Sequence, residues 1–337
     1  MGYATNDARP DHFTSFLQPR ARVIISKDTP IDDIVLALTE HGCKDLTAEL
    51  DHTSHSAHPV ISGGYGNITR GAMRSGTAVA IKSLRVPIGP DEEQNKIPKR
   101  AARELYTWSR CSHRNVLPLL GLVVFHNQIR MLSLWMPNGD LPGYLKKNAF
   151  VDRYVMCQQV CDGMDYLHGV PMVHGDMKGT NVLVSDEGVP VITDFGNAVF
   201  QYGELQFTQT MKLNGFTPRW TSPELLLEDT ISQSQEADVY ALGMVIKEVI
   251  TGDVPYAEYK NEMKLLFAIG SQKLLPNRPE MHIPKTLRGD AIWSLLSRCW
   301  NQKPEKRPKA YEVVEIMRQI SEGNYGQVTS NRNCVIA

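Results

Sequence analysis

Val173-His174-Gly175-Asp176-Met177-Lys178-Gly179-Thr180-Asn181-Val182-Leu183-Val184 is the stretch that decides the reading of this chain. It sets a carboxylate (Asp176), an ammonium (Lys178) and a carboxamide (Asn181) in one short loop that runs into an apolar Val-Leu-Val strand. After a turn-like Ser185-Asp186-Glu187-Gly188, a second carboxylate follows in Ile192-Thr193-Asp194-Phe195-Gly196. Phosphoryl transfer from a nucleotide asks for such groups. A carboxylate orients an acceptor hydroxyl and takes its proton, cations meet the phosphates, and oxygens hold a metal ion. On that chemistry Asp176 is the candidate base and Lys178 the group that neutralises the moving phosphoryl. Asn181 and Asp194 are the candidate Mg²⁺ ligands.

Upstream, Ile61-Ser62-Gly63-Gly64-Tyr65-Gly66-Asn67-Ile68 reads as strand, glycine-rich turn, strand. Glycines let backbone N–H groups approach phosphate oxygens that side chains would obstruct. Val79-Ala80-Ile81-Lys82 is a strand ending in a lysine, and a helical stretch from Lys99 to Arg110 supplies Glu104 as a partner carboxylate. Met131-Leu132-Ser133-Leu134-Trp135-Met136 reads as a strand entering a hinge closed by Pro137-Asn138-Gly139-Asp140-Leu141. Tyr154 to His168 has helical apolar spacing and delivers the chain into the quoted loop.

Together these segments resemble the protein-kinase motifs H-R-D-L-x-x-x-N, D-F-G, V-A-I-K and G-x-G-x-x-G-x-V. The resemblance covers residues 59–320. It implies an α+β, bilobal fold: a small antiparallel β-sheet N-lobe (59–136) with one main helix, and a larger, mostly helical C-lobe (137–320). Lys82 and Glu104 are then the phosphate-fixing ion pair. Ile61, Gly63, Gly66, Ile68, Ala80, Ser133, Leu134, Met136 and Leu183 join Lys82 around ATP, with Ser133 as a small gatekeeper and Leu183 as the floor beneath the adenine. Thr217-Pro218-Arg219-Trp220-Thr221-Ser222-Pro223-Glu224 resembles the end of an activation segment. The resemblance implies that Thr217 contacts Asp176 and Lys178, that Asp238 braces the catalytic loop, and that Glu224 pairs with Arg307. Lys178 favours serine/threonine specificity, and His113-Arg114-Asn115-Val116-Leu117-Pro118-Leu119-Leu120-Gly121 with Arg219-Trp220 resembles the tyrosine-kinase-like group, with its fungal expansions as the finer placement. The implied activity is ATP- and Mg²⁺-dependent phosphorylation of protein Ser/Thr hydroxyls in signal transduction.

Two departures from the pattern stand out. Ile61 replaces the first glycine of the glycine-rich turn, and Gly175 replaces the arginine before the catalytic aspartate. They are the only support for a second reading, a pseudokinase acting as a binding or scaffold module. A third reading makes the chain a membrane adaptor whose tail is the functional part. The missing arginine also implies that activity depends little on phosphorylation at Thr208 or Thr210.

Composition narrows the field. The 337 residues carry 36 Lys and Arg against 37 Asp and Glu, so no bulk electrostatic case exists for a nucleic-acid partner. Six cysteines lack a secreted-framework spacing and read as reduced thiols of a cytoplasmic protein, with Cys157 and Cys161 in the core. Met1 to Asp7 has neither a basic nor an apolar signal region, and no run is long enough to span a membrane.

Residues 1–58 read as an N-terminal extension with one amphipathic helix: Thr29 as N-cap, Pro30 at the first helical position, Ile31, Ile34, Val35 and Leu38 on one face, and Gly42 as terminator. That helix either packs on the main domain or meets a partner. His52, His55 and His58 fit no zinc spacing. Residues 321–337 read as a flexible tail ending in Cys334-Val335-Ile336-Ala337, which matches a prenylation box and implies reversible membrane association.

Overall fold

The computed structural model describes residues 24–54, 56, 58–62, 66–85, 96–200, 205–207, 217–227 and 233–324. Alternation along Ala78-Val79-Ala80-Ile81-Lys82 sorts a strand into two faces, and the sheet uses both. Five antiparallel strands, β2 (Ile61–Ser62), β3 (Gly66–Ala72), β4 (Ala78–Leu84), β5 (Leu119–Phe125) and β6 (Gln128–Leu134), lie in the order β2-β3-β4-β6-β5. Lys82 pairs with Ile68 and Met131, and Ala80 with Arg70 and Ser133. Directly paired residues share a face, so Ile68, Ala80, Lys82 and Ser133 line the same side. The opposite side, Val79, Ile81, Val123 and Leu132, forms a small core with Leu46 and Leu50. The N-terminal segment thus covers the back of the sheet.

That segment begins with β1 (Ile24–Ile25) and α1 (Ile31–Glu40). Pro30 is extended (ψ 149°) and occupies the N-cap position without a side-chain cap. The helix therefore starts one residue later than the sequence suggests, and Thr29 Oγ1 instead accepts the Ser26 N–H at 2.9 Å. Gly42, at φ +93°, ends the helix. The Gly42 and Cys43 amides reach back to the Thr39 and Leu38 carbonyls, which closes the left-handed terminator. Ile34, Ala37 and Leu38 point into the core beside α2 (Ile97–Ser109), the main helix of the sheet lobe.

The second lobe is built on α6 (Gln235–Thr251), buried continuously from Ala237 to Thr251. Ser234 Oγ accepts the Ala237 N–H at its start, and Gly252 at φ +81° ends it. Around it lie α3 (Leu141–Lys147), α4 (Arg153–Gly169), α5 (Glu224–Leu227), α7 (Glu262–Gln272), α8 (Leu287–Cys299) and α9 (Ala310–Ser321). Asp140, Asp152, Asn261 and Thr286 supply side-chain N-caps. After α4 come the short strands β7 (Met172–Val173), β8 (Val182–Val184), β9 (Pro190–Ile192), β10 (Val199–Phe200) and β11 (Gln206–Phe207). β8 and β9 form a hairpin, and β7 pairs with β10. Five cysteines, Cys157 and Cys161 among them, are free and buried among the described residues.

Candidate active site

Lys82 Nζ donates to Glu104 Oε1 and Asp194 Oδ1, each at 2.6 Å. Glu104 is 3 % exposed, so it is no surface glutamate but one of the buried residues of α2. Burial works against the Lys82 ammonium, but the two carboxylates outweigh it and hold its pKa above the ordinary lysine value. For Asp194 burial pushes upward, and the Lys82 charge and hydrogen bond more than reverse that, leaving its carboxyl below the usual range. Burial dominates at Glu104 and pushes it up. One ammonium cannot fully compensate two carboxylates in a dry site.

Asp194 sits in the left-handed region at φ +69°, a strained backbone for a non-glycine residue. Packing holds it there. Phe195, 1 % exposed, stacks on Trp108 of α2 at 5.7 Å and tilts against His174 at 5.6 Å. His174 is itself fixed, with Nε2 on the Thr193 carbonyl and Nδ1 accepting the Asp176 N–H. Asp238, at the start of α6, accepts the backbone N–H groups of His174 (2.8 Å) and Gly175 (2.9 Å). The carboxylate thereby braces the loop from below.

Three side chains converge on Asp176. Thr217 Oγ1 donates to its Oδ1 at 2.8 Å, Lys178 Nζ to its Oδ2 at 2.7 Å, and Asn181 Nδ2 to its Oδ2 at 3.2 Å. Lys178 also reaches Thr217 at 3.2 Å. Asn181 Nδ2 also donates to the Asp176 carbonyl at 2.7 Å, which commits the carboxamide nitrogen and leaves its oxygen as the atom that could ligate a metal ion. Asn181 and Asp194 carry hard oxygen atoms, and two ammoniums there face three carboxylates, so the donor type and charge fit a magnesium ion.

The other described sequence candidates lie on the sheet, in the hinge and on β8. Ile68, Ala80 and Ser133 line the sheet face that carries Lys82, with Ser133 buried. Gly66 opens β3 opposite Leu84, and Ile61 pairs with Ile68 at the lobe's edge, half exposed. Leu134 ends β6, Met136 follows in the hinge, and Leu183 lies on β8 with Asp140 beside it. Glu224 and Arg307 form a two-pronged pair at 2.6 and 2.7 Å, with the Arg307 side chain wholly buried. Gly63, Thr208, Thr210 and Cys334 lie outside the described residues. Among the described residues no cluster of His, Cys, Asp or Glu is arranged to hold a metal ion by itself, His52 and His58 included. None of the described helices is long and apolar enough to cross a membrane.

Sequence reasoning missed Glu248. It lies on α6, 4 % exposed, and its Oε2 accepts the Gly179 N–H at 3.1 Å and the Trp220 indole N–H at 3.0 Å. Burial raises its pKa to about 7. A carboxylate inside the apolar run Val245 to Ile250 was the available signal.

A strand-rich lobe carrying a buried lysine–glutamate pair, facing a helical lobe that carries the Asp176 and Asp194 loops, defines a protein-kinase catalytic domain. Residues 55–317 match the family of protein tyrosine and serine/threonine kinases, and the chain belongs to that family. Among curated proteins it is similar to the serine/threonine-protein kinase STY46 of Arabidopsis thaliana, 28 % identical over 78 % of this chain and 44 % of that protein. Mitogen-activated protein kinase kinase kinase 2 of the same plant is 30 % identical over 75 % of this chain and 38 % of that protein. Its serine/threonine/tyrosine-protein kinase HT1 is 27 % identical over 77 % and 65 % respectively. The chain thus spans less than two thirds of the length of each of these relatives.

Proposed function

We propose that the protein transfers the γ-phosphoryl group of ATP to serine or threonine hydroxyls of protein substrates in a signalling role. The observation that carries this is the assembled ion pair, Lys82 held at 2.6 Å from both Glu104 and Asp194. Lys82, oriented by Glu104, presents its ammonium to the nucleotide phosphates. Asp176 accepts the proton of the substrate hydroxyl as its oxygen bonds to phosphorus and the bond to the ADP oxygen breaks. Lys178 lies beside the transferred group and screens its charge, and Thr217 holds Asp176 and Lys178 in register. Magnesium, held by Asn181 and Asp194, would neutralise phosphate charge. Relatives named as serine/threonine kinases support the acceptor class.

Incorporation of labelled phosphate into a peptide library by the purified chain tests the reading. Asp194→Asn should abolish it. Asp176→Asn should lower kcat by about 10²–10⁴-fold, the range of a lost general base. Full activity in either variant overturns the assignment. The scaffold alternative rests on Ile61 and Gly175, and neither is a member of the ion pair or one of Asp176's three donors. The lipidation reading rests on the sequence Cys334-Val335-Ile336-Ala337 alone, and membrane fractionation of Cys334→Ser tests it.

A further inference from the structure

The N-terminal segment does more than cover an apolar face. Its first strand, β1, pairs in parallel with β11 of the segment between Asp194 and Thr217: Ile24 opposite Gln206 and Ile25 opposite Phe207. Ile25 is fully buried. β11 in turn rests on α2. The Leu205 N–H reaches the Tyr106 hydroxyl at 3.5 Å, and the Phe207 and Tyr106 rings lie 6.1 Å apart. α1 closes on the same helix, His41 meeting the edge of Tyr106 at 6.1 Å.

Tyr106 and Glu104 are two residues apart, which on a helix places them on roughly opposite faces. One face of α2 therefore aims Glu104 at Lys82, and the other meets α1 and the β11 segment, which β1 holds in turn. Beyond the helix the chain continues along the edge strand β5. The Leu46 N–H bonds the Leu122 carbonyl, and the Leu122 N–H bonds the Lys44 carbonyl, each at 2.8 Å. It then crosses the back of the sheet to the β3–β4 hairpin, with the Arg74 N–H on the Glu49 carbonyl at 2.8 Å and the Asp51 N–H on the Ala72 carbonyl at 3.0 Å. Gly121 permits this path, since a Cβ there would strike the Lys44 carbonyl.

We propose that residues 24–51 are an intramolecular strap that positions α2 and the strand at Gln206–Phe207, so that Ile25 and Phe207 act as positioning residues for Glu104. The strap binds the arrangement in which α2 is docked, and a segment that binds one arrangement better than another shifts the population toward it. Its anchors are independent: β5 and the hairpin hold its far end, leaving β1 and α1 to set α2. Loosening β1 therefore lowers the competent fraction without dismantling the sheet.

The inference rests on the kinase reading, and its test separates the two. The full chain is assayed with labelled ATP and a peptide library as Ile25→Asp, Phe207→Ala, the double variant and the conservative Ile25→Val. Hydrogen exchange is followed at residues 97–109 and 205–207. The strap predicts a kcat at least tenfold lower in Ile25→Asp and Phe207→Ala, with KM for ATP changed less than threefold. The double variant is no worse than the weaker single, Ile25→Val is near wild type, and protection is lost at α2 and β11. A kcat within twofold of wild type in Ile25→Asp or Phe207→Ala overturns it. If Ile25→Asp does not fold, Phe207→Ala, which removes only a ring, carries the same readouts. A wild-type chain no faster than Asp194→Asn would sink the kinase reading. The exchange result then still decides the strap, because unchanged protection of α2 in the variants refutes it.

Discussion

Gly175 adopts φ +76°, a backbone region that side chains enter at a cost of about 1–2 kcal/mol. The Gln233 side chain lies over it, 2.5 Å from where a Cβ would stand, and its Nε2 donates to the Gly175 carbonyl at 3.4 Å. Glycine at this position relaxes the catalytic loop, and glutamine fills the space a side chain would take. Gly175→Ala should therefore lower unfolding stability by about 1–2 kcal/mol, read from the urea midpoint. An unchanged midpoint would show that the loop bears no such constraint. Residue 175 also offers no cation for a phosphate on the segment that contains Thr208 and Thr210. Phosphatase treatment should accordingly change kcat less than tenfold, about 1.4 kcal/mol of barrier. A larger loss would mean that another cation reads the phosphate.

At the scale of elements, Glu248 ties α6 to two segments at once, the catalytic loop through Gly179 and the Thr217–Ser222 stretch through Trp220. Burial is the main cause of its shift, from an ordinary 4.5 to about 7. Asp140 adds to it, while the two hydrogen bonds and Lys146 oppose it. The sign follows from linkage. A carboxyl whose folded pKa is raised favours the fold in its protonated form, so its contribution is complete below about pH 4.5 and is lost as pH rises to about 7. A shift of this size corresponds to roughly 3 kcal/mol. Glu248→Gln keeps an accepting oxygen and cannot ionise. Its stability relative to wild type should rise between pH 5 and 8 by up to about 3 kcal/mol, read as urea midpoints across pH. A difference that stays flat with pH would show that Glu248 does not titrate in this range. Residues such as this mark where the sequence was and was not legible. The Lys82–Glu104 pair could be named because both sit in local motifs. The face shared by Ile68, Ala80 and Ser133 follows from strand alternation. The pairing of β1 with β11 has no local signature, since two residues of parallel strand far apart in the chain leave neither a turn nor a period to read. The start of α1 was misplaced by one residue because Thr29 and Pro30 both suit a helix entrance, and the Ser26 N–H claimed the threonine.

Across the whole molecule, the two functional loops of the helical lobe are held by charges that α6 and the chain after α8 send inward. Asp238 braces the catalytic loop, and Arg307 holds the end of the Thr217–Glu224 segment. Arg307 is fully committed. Besides the paired contacts to Glu224 it donates to the Asn301 and Glu236 carbonyls, both at 2.9 Å, and its guanidinium lies 5.1 Å from the Tyr240 ring. Its side chain is 0 % exposed and that of Glu224 17 %, so the pair is largely sealed from water. Taking one partner away leaves a buried charge without compensation, at about 3–5 kcal/mol, whereas replacing both by apolar groups removes the desolvation penalty along with the attraction. Arg307→Met should thus destabilise by about 3–5 kcal/mol, and Arg307→Met with Glu224→Met should recover most of that loss in denaturant midpoint. Activity should separate the two effects. The double variant regains stability but not the tether on the segment that carries Thr217, so its KM for peptide should stay raised while KM for ATP, which the proposed function assigns to Lys82 and Glu104 in the other lobe, stays near wild type. A double variant that restored both would show that packing alone positions the segment, and one that restored neither would place the cost in the two carbonyl contacts instead of the ion pair.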